Sequence, residues 1–116
     1  MRIVQSFELV RVPFPFTDRQ ATKLRPALVI SRPVFQQHSG HLLLAMVTSA
    51  KHSRWPSDWP IEDLQAAGLP QACVVRFKLF SLDQSLLLGS LGQLSTQDQR
   101  GVLSRLAAVA ALSPPD

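Results

Sequence analysis

Runs of apolar residues, separated by short polar or turn-forming segments, dominate the pattern along the chain. The longer runs predict β-strands at Pro26–Ser31, Leu42–Ser49 and Gln71–Leu82, and two shorter runs predict strands at Phe7–Phe14 and Ser85–Leu91. Proline, glycine, aspartate or serine bounds each run, as is typical of strands. Because no long helical pattern separates the runs, they favour an antiparallel sheet or small barrel over β-α-β units.

Polar segments between the strands predict two exposed loops, at Thr17–Leu24 and Ala50–Trp59. Between the second loop and the third long strand, Ile61–Ala67 predicts one or two helical turns. Gly68 follows directly and is expected to end them.

The C-terminal segment predicts a helix that begins after Ser95. Ser95 is a favourable N-cap residue, and Asp98 three residues later gives a start like a capping box. Apolar residues then recur on one face at helical spacing, at Val102, Leu106 and Val109, with Leu103 and Ala110 beside them. The prolines at 114 and 115 are expected to end the helix. We interpret the apolar stripe as a cover for the sheet, with a partner-binding face as the alternative.

Length and composition indicate one folded domain, spanning residues 1–116. The chain is 46% hydrophobic and 17% charged, which excludes wholesale disorder. Its net charge of +4 is unevenly distributed, since residues 1–54 hold eight basic and two acidic side chains, whereas residues 55–116 hold four and six. The one-sided positive charge is compatible with a polyanionic partner, and also with an ordinary basic surface.

The sequence also argues against several classes of protein. It has no apolar run of about 18 residues, the length that a membrane-spanning helix needs. Its N-terminus does not have the pattern of a signal peptide. The single Cys73 cannot form an internal disulfide, and its apolar neighbours predict a buried, unreactive thiol. These features predict a protein of the reducing cytoplasm.

Five segments carry a resemblance to a known family. They are Val10–Asp18 (VRVPFPFTD), Leu24–Ser31 (LRPALVIS), Met46–Ser49 (MVTS), Val75–Asp83 (VRFKLFSLD) and Leu91–Ser95 (LGQLS). In this order and at these separations, they resemble the MazF/PemK family of toxins from type II toxin–antitoxin modules. The first two segments are the specific ones, and the likeness extends over nearly the whole chain.

The resemblance implies an SH3-like antiparallel β-barrel with a C-terminal helix, acting as a homodimer. It implies an endoribonuclease that needs no metal or other cofactor and cuts single-stranded RNA, often messenger RNA, at short sequences. It also implies a cognate antitoxin that covers the RNA groove with an acidic, partly disordered segment. One departure is Phe7-Glu8, where many members have Gly-Asp. The departure bears on how the first strand begins more than on the fold.

Arg25 and Thr48 are the catalytic residues that the resemblance implies. A guanidinium is always charged and can grip two phosphate oxygens, which suits stabilisation of the extra charge on the phosphoryl group. Pro26 favours an extended backbone at Arg25. Thr48 ends an apolar run, where its hydroxyl can donate to the scissile phosphate, and Ser49 is the alternative if the register differs by one residue. A surface arginine and a strand-end threonine without catalytic roles are the structural alternatives.

The residue that accepts the 2′-hydroxyl proton is left open. An arginine is a poor general base at pH 7. His52, four residues after Thr48, titrates in the right range, although a lone histidine in a loop is more often a bystander. His38 and His41 are assigned to a connecting loop, without a role. No cluster of metal ligands stands out in the sequence, so we predict no metal site.

Further basic and aromatic residues are candidates for binding RNA. Arg76 and Lys78 are two apart and are expected to point to the same face of a strand, where they could follow phosphates or simply face solvent. Three cations from the two loops would complete a basic rim around the catalytic pair, namely Arg19, Lys23 and Lys51. Ser49 and His52 are further candidates for RNA contacts beside that rim. Phe16 and Trp55 are the aromatic candidates for contacts with bases.

Two other functions stay open at this point. The first is a non-catalytic SH3-like module that binds nucleic acid or a peptide, which would not need both Arg25 and Thr48. The second is a toxin of the gyrase-poison type on the same kind of barrel, which would act without cutting RNA. Neither alternative has a use for an arginine and a threonine that converge on one pocket.

Overall fold

Six strands, three α-helices and one short 3-10 helix form the part of the chain that the computed structural model describes, residues 2–14, 23–51 and 54–115. The strands are β1 (Glu8–Phe14), β2 (Lys23–Val29), β3 (His41–Ser49), β4 (Trp59–Pro60), β5 (Cys73–Asp83) and β6 (Ser90–Gln93). The helices are α1 (Pro33–Ser39), α2 (Leu64–Ala67), the 3-10 helix (Gln84–Leu86) and α3 (Thr96–Val109). None of the helices in these ranges is long and apolar enough to cross a membrane.

The strands form one curled antiparallel sheet in the order β4-β5-β3-β2-β1-β6. Every neighbouring pair is antiparallel, and β3 with β5 makes the longest ladder. That ladder contains an irregularity, because its register shifts between Ala45 and Met46. The mainly β fold class with a C-terminal helix is thereby confirmed, and the sheet is curled like a half-barrel with β4 and β6 as its edges.

The two faces of the sheet have different covers. Alternate side chains pack on one face against α2 and α3, and we call this the helix face; its buried strand residues are Leu9, Leu28, Ala45, Val47, Cys73 and Val75. The other face buries residues from the same strands under the N-terminal segment and residues 86–87; these strand residues are Val10, Val12, Ala27, Val29, Leu42, Leu44 and Leu82. We call it the arginine face, because Arg25 and Arg76 lie at its uncovered end, as described below.

Most of the predicted strands are confirmed, with shifted ends. The first begins at Glu8, one residue later than expected. The run predicted at Pro26–Ser31 is the second half of β2, which begins at Lys23 and ends at Val29. The prediction at Ser85–Leu91 was wrong in part, because a 3-10 turn precedes a shorter strand, Ser90–Gln93. Asp83 explains the turn, since its carboxylate accepts a hydrogen bond from Ser85 N (2.8 Å) and bends the chain there.

Helix α1 was not predicted, and the assignment of His38 and His41 to a connecting loop was wrong. His38 lies in α1, and His41 is the first residue of β3. The helix has only seven residues, too few for a clear apolar period. Its end signals were nevertheless in the sequence, because Pro33 occupies its first turn and Gly40 ends it with φ +72°.

Gln36 of α1 ties the N-terminal segment to the arginine face. This side chain is almost completely buried. Its Oε1 accepts a hydrogen bond from Val4 N (2.7 Å), and its Nε2 donates to Arg2 O (3.0 Å) and to Gln84 Oε1 (3.1 Å). Three segments that are distant in sequence therefore meet at one amide.

Helix α3 begins as predicted but covers less of the sheet than predicted. Ser95 Oγ accepts a hydrogen bond from Asp98 N (3.1 Å), which confirms the N-cap. The helix ends at Val109, before the two prolines. Val102 is fully buried, but Leu103 and Val109 are each 49% exposed. The apolar stripe is thus core only in part, since Val102 packs in the core of the helix face while Leu103 and Val109 remain exposed.

Asp98 anchors that N-terminal end. Its carboxylate accepts hydrogen bonds from Trp59 Nε1 (2.9 Å), Glu62 N (2.9 Å) and Asp63 N (3.0 Å). The residue has no exposed surface. Burial alone would raise the pKa of this carboxyl, but the hydrogen bonds outweigh burial and lower its pKa. Asp98, in the first turn of α3, therefore fastens the helix to β4 and to the segment between β4 and α2.

Phe7 keeps the backbone conformation that a glycine would adopt there. Its φ is +68°, in the left-handed region that a non-glycine residue adopts at a cost of about 1–2 kcal/mol. Hydrogen bonds hold it on both sides, from Phe7 N to Val29 O (2.7 Å) and from Leu94 N to Phe7 O (3.0 Å). Its ring also packs against the core of the helix face. Phe7 thus leads into β1 in a conformation that favours glycine, held by backbone hydrogen bonds and by the packing of its ring.

Candidate active site

Arg25 lies on the arginine face of β2. It is opposite Val12 in the β1–β2 ladder, and Val12 belongs to the apolar core of that face. Ala27, two residues on, belongs to the same core, so alternation gives the same face for Arg25. The guanidinium carbon is 5.2 Å from the centre of the Phe14 ring. This cation–π contact holds the half-buried side chain at the end of the covered core.

Thr48 lies on the same face of the neighbouring strand. The β2–β3 ladder pairs Ala27 with Met46 and ends there. The same register, continued for two residues, puts Arg25 opposite Thr48. Thr48 is half-buried. The two residues that the resemblance implied as catalytic therefore come from adjacent strands and share one face of the sheet.

Ser49, the alternative to Thr48, points to the other face. It is opposite Cys73, whose side chain belongs to the core of the helix face. Its Oγ accepts a hydrogen bond from Lys51 N (3.2 Å), which stabilises the turn after β3. Of the two hydroxyls, Thr48 is the one that shares a face with Arg25.

Arg76 also lies on the arginine face, opposite Met46. It forms a two-point ion pair with Asp58, with Nε to Oδ1 at 3.1 Å and Nη2 to Oδ2 at 2.8 Å. The Arg76 side chain is 12% exposed and that of Asp58 is 4% exposed. The pair was not foreseen from the sequence, which predicted a phosphate contact for Arg76. A contact between Arg76 and RNA stays a prediction, and the guanidinium already has a carboxylate partner.

Asp58 stays charged in this pair. Burial alone would raise the pKa of its carboxyl, but hydrogen bonds from Arg76 and from Trp55 N, with the charges of Arg76 and Arg54, lower it. The Arg76 guanidinium also lies 5.0 Å from the centre of the Trp55 ring. Asp58 and Trp55 are therefore organised around Arg76, although the three residues come from two separate segments.

A common face for Arg76 and Lys78 stays a prediction, and the alternation along β5 is compatible with it. The β3–β5 register shifts by two residues between Arg76 and Leu79, which leaves the alternation in phase. Phe77 packs against the core of the helix face and Phe80 against that of the arginine face, so the positions around Lys78 alternate regularly. Lys78 is exposed, as are Lys23 at the start of β2 and Lys51 after β3. Lys23 is opposite Phe14 and two residues before Arg25, which gives it the same face as Arg25.

Three of the predicted RNA-binding residues lie outside the described residues. They are Phe16 and Arg19 in the first loop and His52 in the second. Within the described ranges, no group of three or more histidine, cysteine, aspartate or glutamate side chains could hold a metal ion. Cys73 is buried, and burial raises the pKa of its thiol, so it is not poised as a nucleophile.

The sequence matches one family model over residues 5–110, that of the PemK-like, MazF-like toxins of type II toxin–antitoxin systems. The chain belongs to this family. The recognition made from the sequence motifs is thereby confirmed. No curated protein is significantly similar to this MazF-like toxin in sequence.

Solved structures show the same fold. A chain of the MazE–MazF complex (Form-III) from Deinococcus radiodurans is 21% identical and superposes with a TM-score of 0.76, covering 97% of this chain and 100% of that chain. An endoribonuclease in complex with its cognate antitoxin, from a mycobacterial species, is 15% identical with a TM-score of 0.75, covering 99% and 100%. MazF (Form-I) from D. radiodurans is 23% identical with a TM-score of 0.72, covering 94% and 97%. At sequence identities of 15–23%, this structural similarity shows that the fold is shared and nothing more.

Sequence reasoning missed the role of Asp58 and gave Trp55 only a weak one. The Asp58–Arg76 pair joins residues 18 positions apart, and it depends on β4 pairing with β5 through Trp59–Val75 and Pro60–Val74. β4 has only two residues, which is too short for any periodic signal. The motif Trp55-Pro56-Ser57-Asp58, with proline at the second turn position, was the signal that could have indicated a turn.

Proposed function

We propose that this MazF-like toxin is an endoribonuclease that cuts single-stranded RNA without a metal ion. The observation that carries the proposal is the placement of Arg25 and Thr48 on one face of adjacent strands, at the end of the β2–β3 ladder. Both residues lie just beyond the last pair of that ladder, Ala27–Met46, where the apolar core of this face ends. The family match and the endoribonucleases among the structural neighbours support the same reaction.

In the proposed reaction, the ribose 2′-hydroxyl attacks the adjacent phosphorus. The new 2′-O–P bond forms as the bond from phosphorus to the 5′-oxygen breaks, which gives a 2′,3′-cyclic phosphate and a free 5′-hydroxyl. Arg25 stabilises the charge that grows on the phosphoryl oxygens, and the Thr48 hydroxyl donates a hydrogen bond to the same group. A proton leaves the 2′-oxygen, and another reaches the 5′-oxygen.

His52 is the candidate for accepting the 2′-hydroxyl proton. An imidazole is the side chain suited to accept a proton near neutral pH, whereas a guanidinium is a poor base there. If His52 has this role, the cleavage rate of the wild-type protein should fall below about pH 6.5, and His52→Gln should cut slowly with no such fall.

The exposed lysines form the basis of the proposed RNA-binding rim. Lys23 and Lys51 flank the pair in sequence, and with Lys78 they are exposed. Together with Phe16 and Arg19 they would hold the phosphates and bases of the strand around the scissile bond. The same positive rim would attract the acidic segment of a cognate antitoxin, and two of the structural neighbours are toxin–antitoxin complexes.

We also propose that the toxin is a cytoplasmic homodimer. The exposed apolar side chains of α3 and the following residues give a surface that a second copy could bury, since Leu103, Val109 and Leu112 are 49%, 49% and 66% exposed. The buried free cysteine and the RNA substrate fit a reducing compartment.

The test of the proposed activity is incubation of purified protein with a long RNA in EDTA. We expect cleavage that survives the chelator and falls by about 10²–10³-fold in Arg25→Ala, because a donor to the phosphoryl charge is lost. Arg32→Ala is the matched control, since Arg32 is an exposed arginine just before α1, and it should cut normally. RNA left intact at high protein concentration would favour the non-catalytic binding module.

A further inference from the structure

A concave site lies near Arg25 and Thr48. It is a cavity of ≈ 440 Å³ whose lining includes Arg54, Trp55, Pro60, Val74 and Arg105. Its lining combines one large aromatic side chain with two arginines, and the one acidic side chain that reaches it, Asp58, is already paired with Arg76. The cavity therefore offers a π surface beside two positively charged side chains.

The strand register relates the cavity to the proposed active site. Val74 is opposite Thr48 in the β3–β5 ladder and opposite Pro60 in the β4–β5 ladder. Residues directly opposite in antiparallel strands point to the same face, and neighbouring strands are about 5 Å apart. The wall of the cavity at Val74 is thus one strand away from Thr48 and on the same face, whereas Arg105 of α3 lines the cavity from the β4 edge.

Trp55 is presented by a closed, rigid turn. Asp58 Oδ2 accepts a hydrogen bond from Trp55 N (2.9 Å), and Asp58 N donates to Trp55 O (3.0 Å). From α3, Arg105 Nη1 donates to Pro56 O (3.0 Å) and to Asp58 O (3.2 Å). The ion pair with Arg76 fixes the same aspartate from β5. The turn is therefore held to both β5 and α3.

The Trp55 side chain remains accessible in this turn. It is 39% exposed, and the Arg76 guanidinium lies over its ring at 5.0 Å. Arg54, the residue before it, is exposed. A rigid, exposed tryptophan beside cations is the arrangement with which proteins bind single-stranded nucleic acid, the base stacking on the ring and the cation meeting the phosphate.

We propose that the Trp55 turn binds one unpaired nucleobase of the RNA, next to the scissile phosphate, with Arg54 at the flanking phosphate. The inference rests on the proposed function for the substrate class, and it assigns to Asp58 and Arg76 the role of positioning residues for Trp55. An acidic peptide would gain from the arginines but would make no use of the exposed indole ring. The base therefore fits the whole set of residues better.

The test uses a short 2′-O-methyl RNA, selected for binding to the wild-type protein, which cannot be cut because it lacks a free 2′-hydroxyl. We expect Trp55→Ala to weaken its binding about 5- to 100-fold and Trp55→Phe to restore most of the affinity, as expected for stacking. Phe35→Ala is the matched control, since Phe35 is 40% exposed on α1, and it should bind normally. Urea unfolding checks that each variant is folded.

A scan with single abasic nucleotides locates the base. In the wild-type protein, one abasic position should weaken binding strongly, and in Trp55→Ala the same position should have almost no further effect, because the two changes remove one contact. Additive losses at every position would overturn the proposal, as would a Trp55→Ala protein that binds RNA normally but no longer binds an acidic peptide. The scan does not depend on cleavage, so an inactive enzyme that shows the coupling would refute the proposed reaction and leave the base site standing.

Discussion

The two faces of the sheet differ in how their buried carboxylates are paired and in how their apolar cores are covered. On the helix face, a buried carboxylate, Asp98, is held by neutral donors alone, the Trp59 indole and two backbone N–H groups. On the arginine face, the buried carboxylate of Asp58 is held by a charged partner, Arg76. On the first face, α2 and α3 cover the apolar core, whereas on the second the apolar core stops and leaves half-buried Arg25 and Thr48 at its end. The comparison separates groups that hold the fold from groups that are available to a substrate.

The largest expected effect comes from the helix face. Asp98→Ala would leave three partly buried donors without acceptors, each at the lower end of about 1–3 kcal/mol, so we expect a loss of about 3–5 kcal/mol in the free energy of unfolding. Urea denaturation measures it. Asp58→Ala is the matched variant on the other face, and we expect it to lose less stability and more RNA affinity. If both variants lost the same stability and both bound RNA normally, the two faces would not differ in function as we infer.

Thr48→Val removes a hydroxyl on the arginine face with little change in shape. We expect the cleavage rate to fall about 10²-fold because a donor to the phosphoryl group is lost. The free energy of unfolding should change by less than about 1 kcal/mol, since Thr48 is only half-buried. Ser49→Ala is the control and should cut RNA at nearly the wild-type rate. A slow Ser49→Ala enzyme beside a normal Thr48→Val enzyme would reverse the assignment.

Acid should destabilise both faces. The pKa values of Asp98, Asp58 and Glu8 are lowered in the folded protein relative to ordinary values of 3.8 for aspartate and 4.5 for glutamate. The unfolded chain therefore takes up protons at a higher pH than the folded chain. Stability should be nearly constant above about pH 5 and fall as the pH drops below 4.5 and through the lowered folded values. Urea denaturation at several pH values gives the curve, and Asp98→Asn should flatten it; an unchanged slope would contradict the role of Asp98.

The smallest expected effect concerns one exposed lysine. Lys78→Ala should weaken RNA binding modestly and reduce the slope of log affinity against log salt by about 1, as for one phosphate contact. Arg100→Ala on α3 is the control of equal charge change on the helix side. If both variants change the slope equally, the rim is not confined to the arginine face.

Local signals in the sequence predicted much of the fold. Alternation and turn residues gave the long strands, and Ser95 with Asp98 gave the start of α3. Helix α1 and strand β4 were not predicted, because α1 has seven residues and β4 has two, which is too short for a periodic pattern. The exposed end of α3 was not foreseen, because the stripe of apolar residues does not say how far the sheet extends beneath it.

The candidate site was predictable only in part. Arg25 and Thr48 were chosen through the family resemblance, and their common face becomes visible only with the β2–β3 register. The partner of Arg76 depends on a tertiary contact between a turn and a strand, which no local pattern encodes. For the same reason, the sequence offered Trp55 as an isolated aromatic residue, whereas the structure gives it a rigid support.

The most direct test of the account replaces a single ribose by deoxyribose on the 5′ side of a mapped cleavage site in an RNA oligonucleotide. The account requires attack by that 2′-hydroxyl on the phosphate held by Arg25 and Thr48. We therefore expect the modified oligonucleotide to bind with nearly the same affinity and to remain uncut at that site while other sites are cleaved. Cleavage at the deoxyribose position, at a rate close to that of the unmodified RNA, would contradict the proposed mechanism.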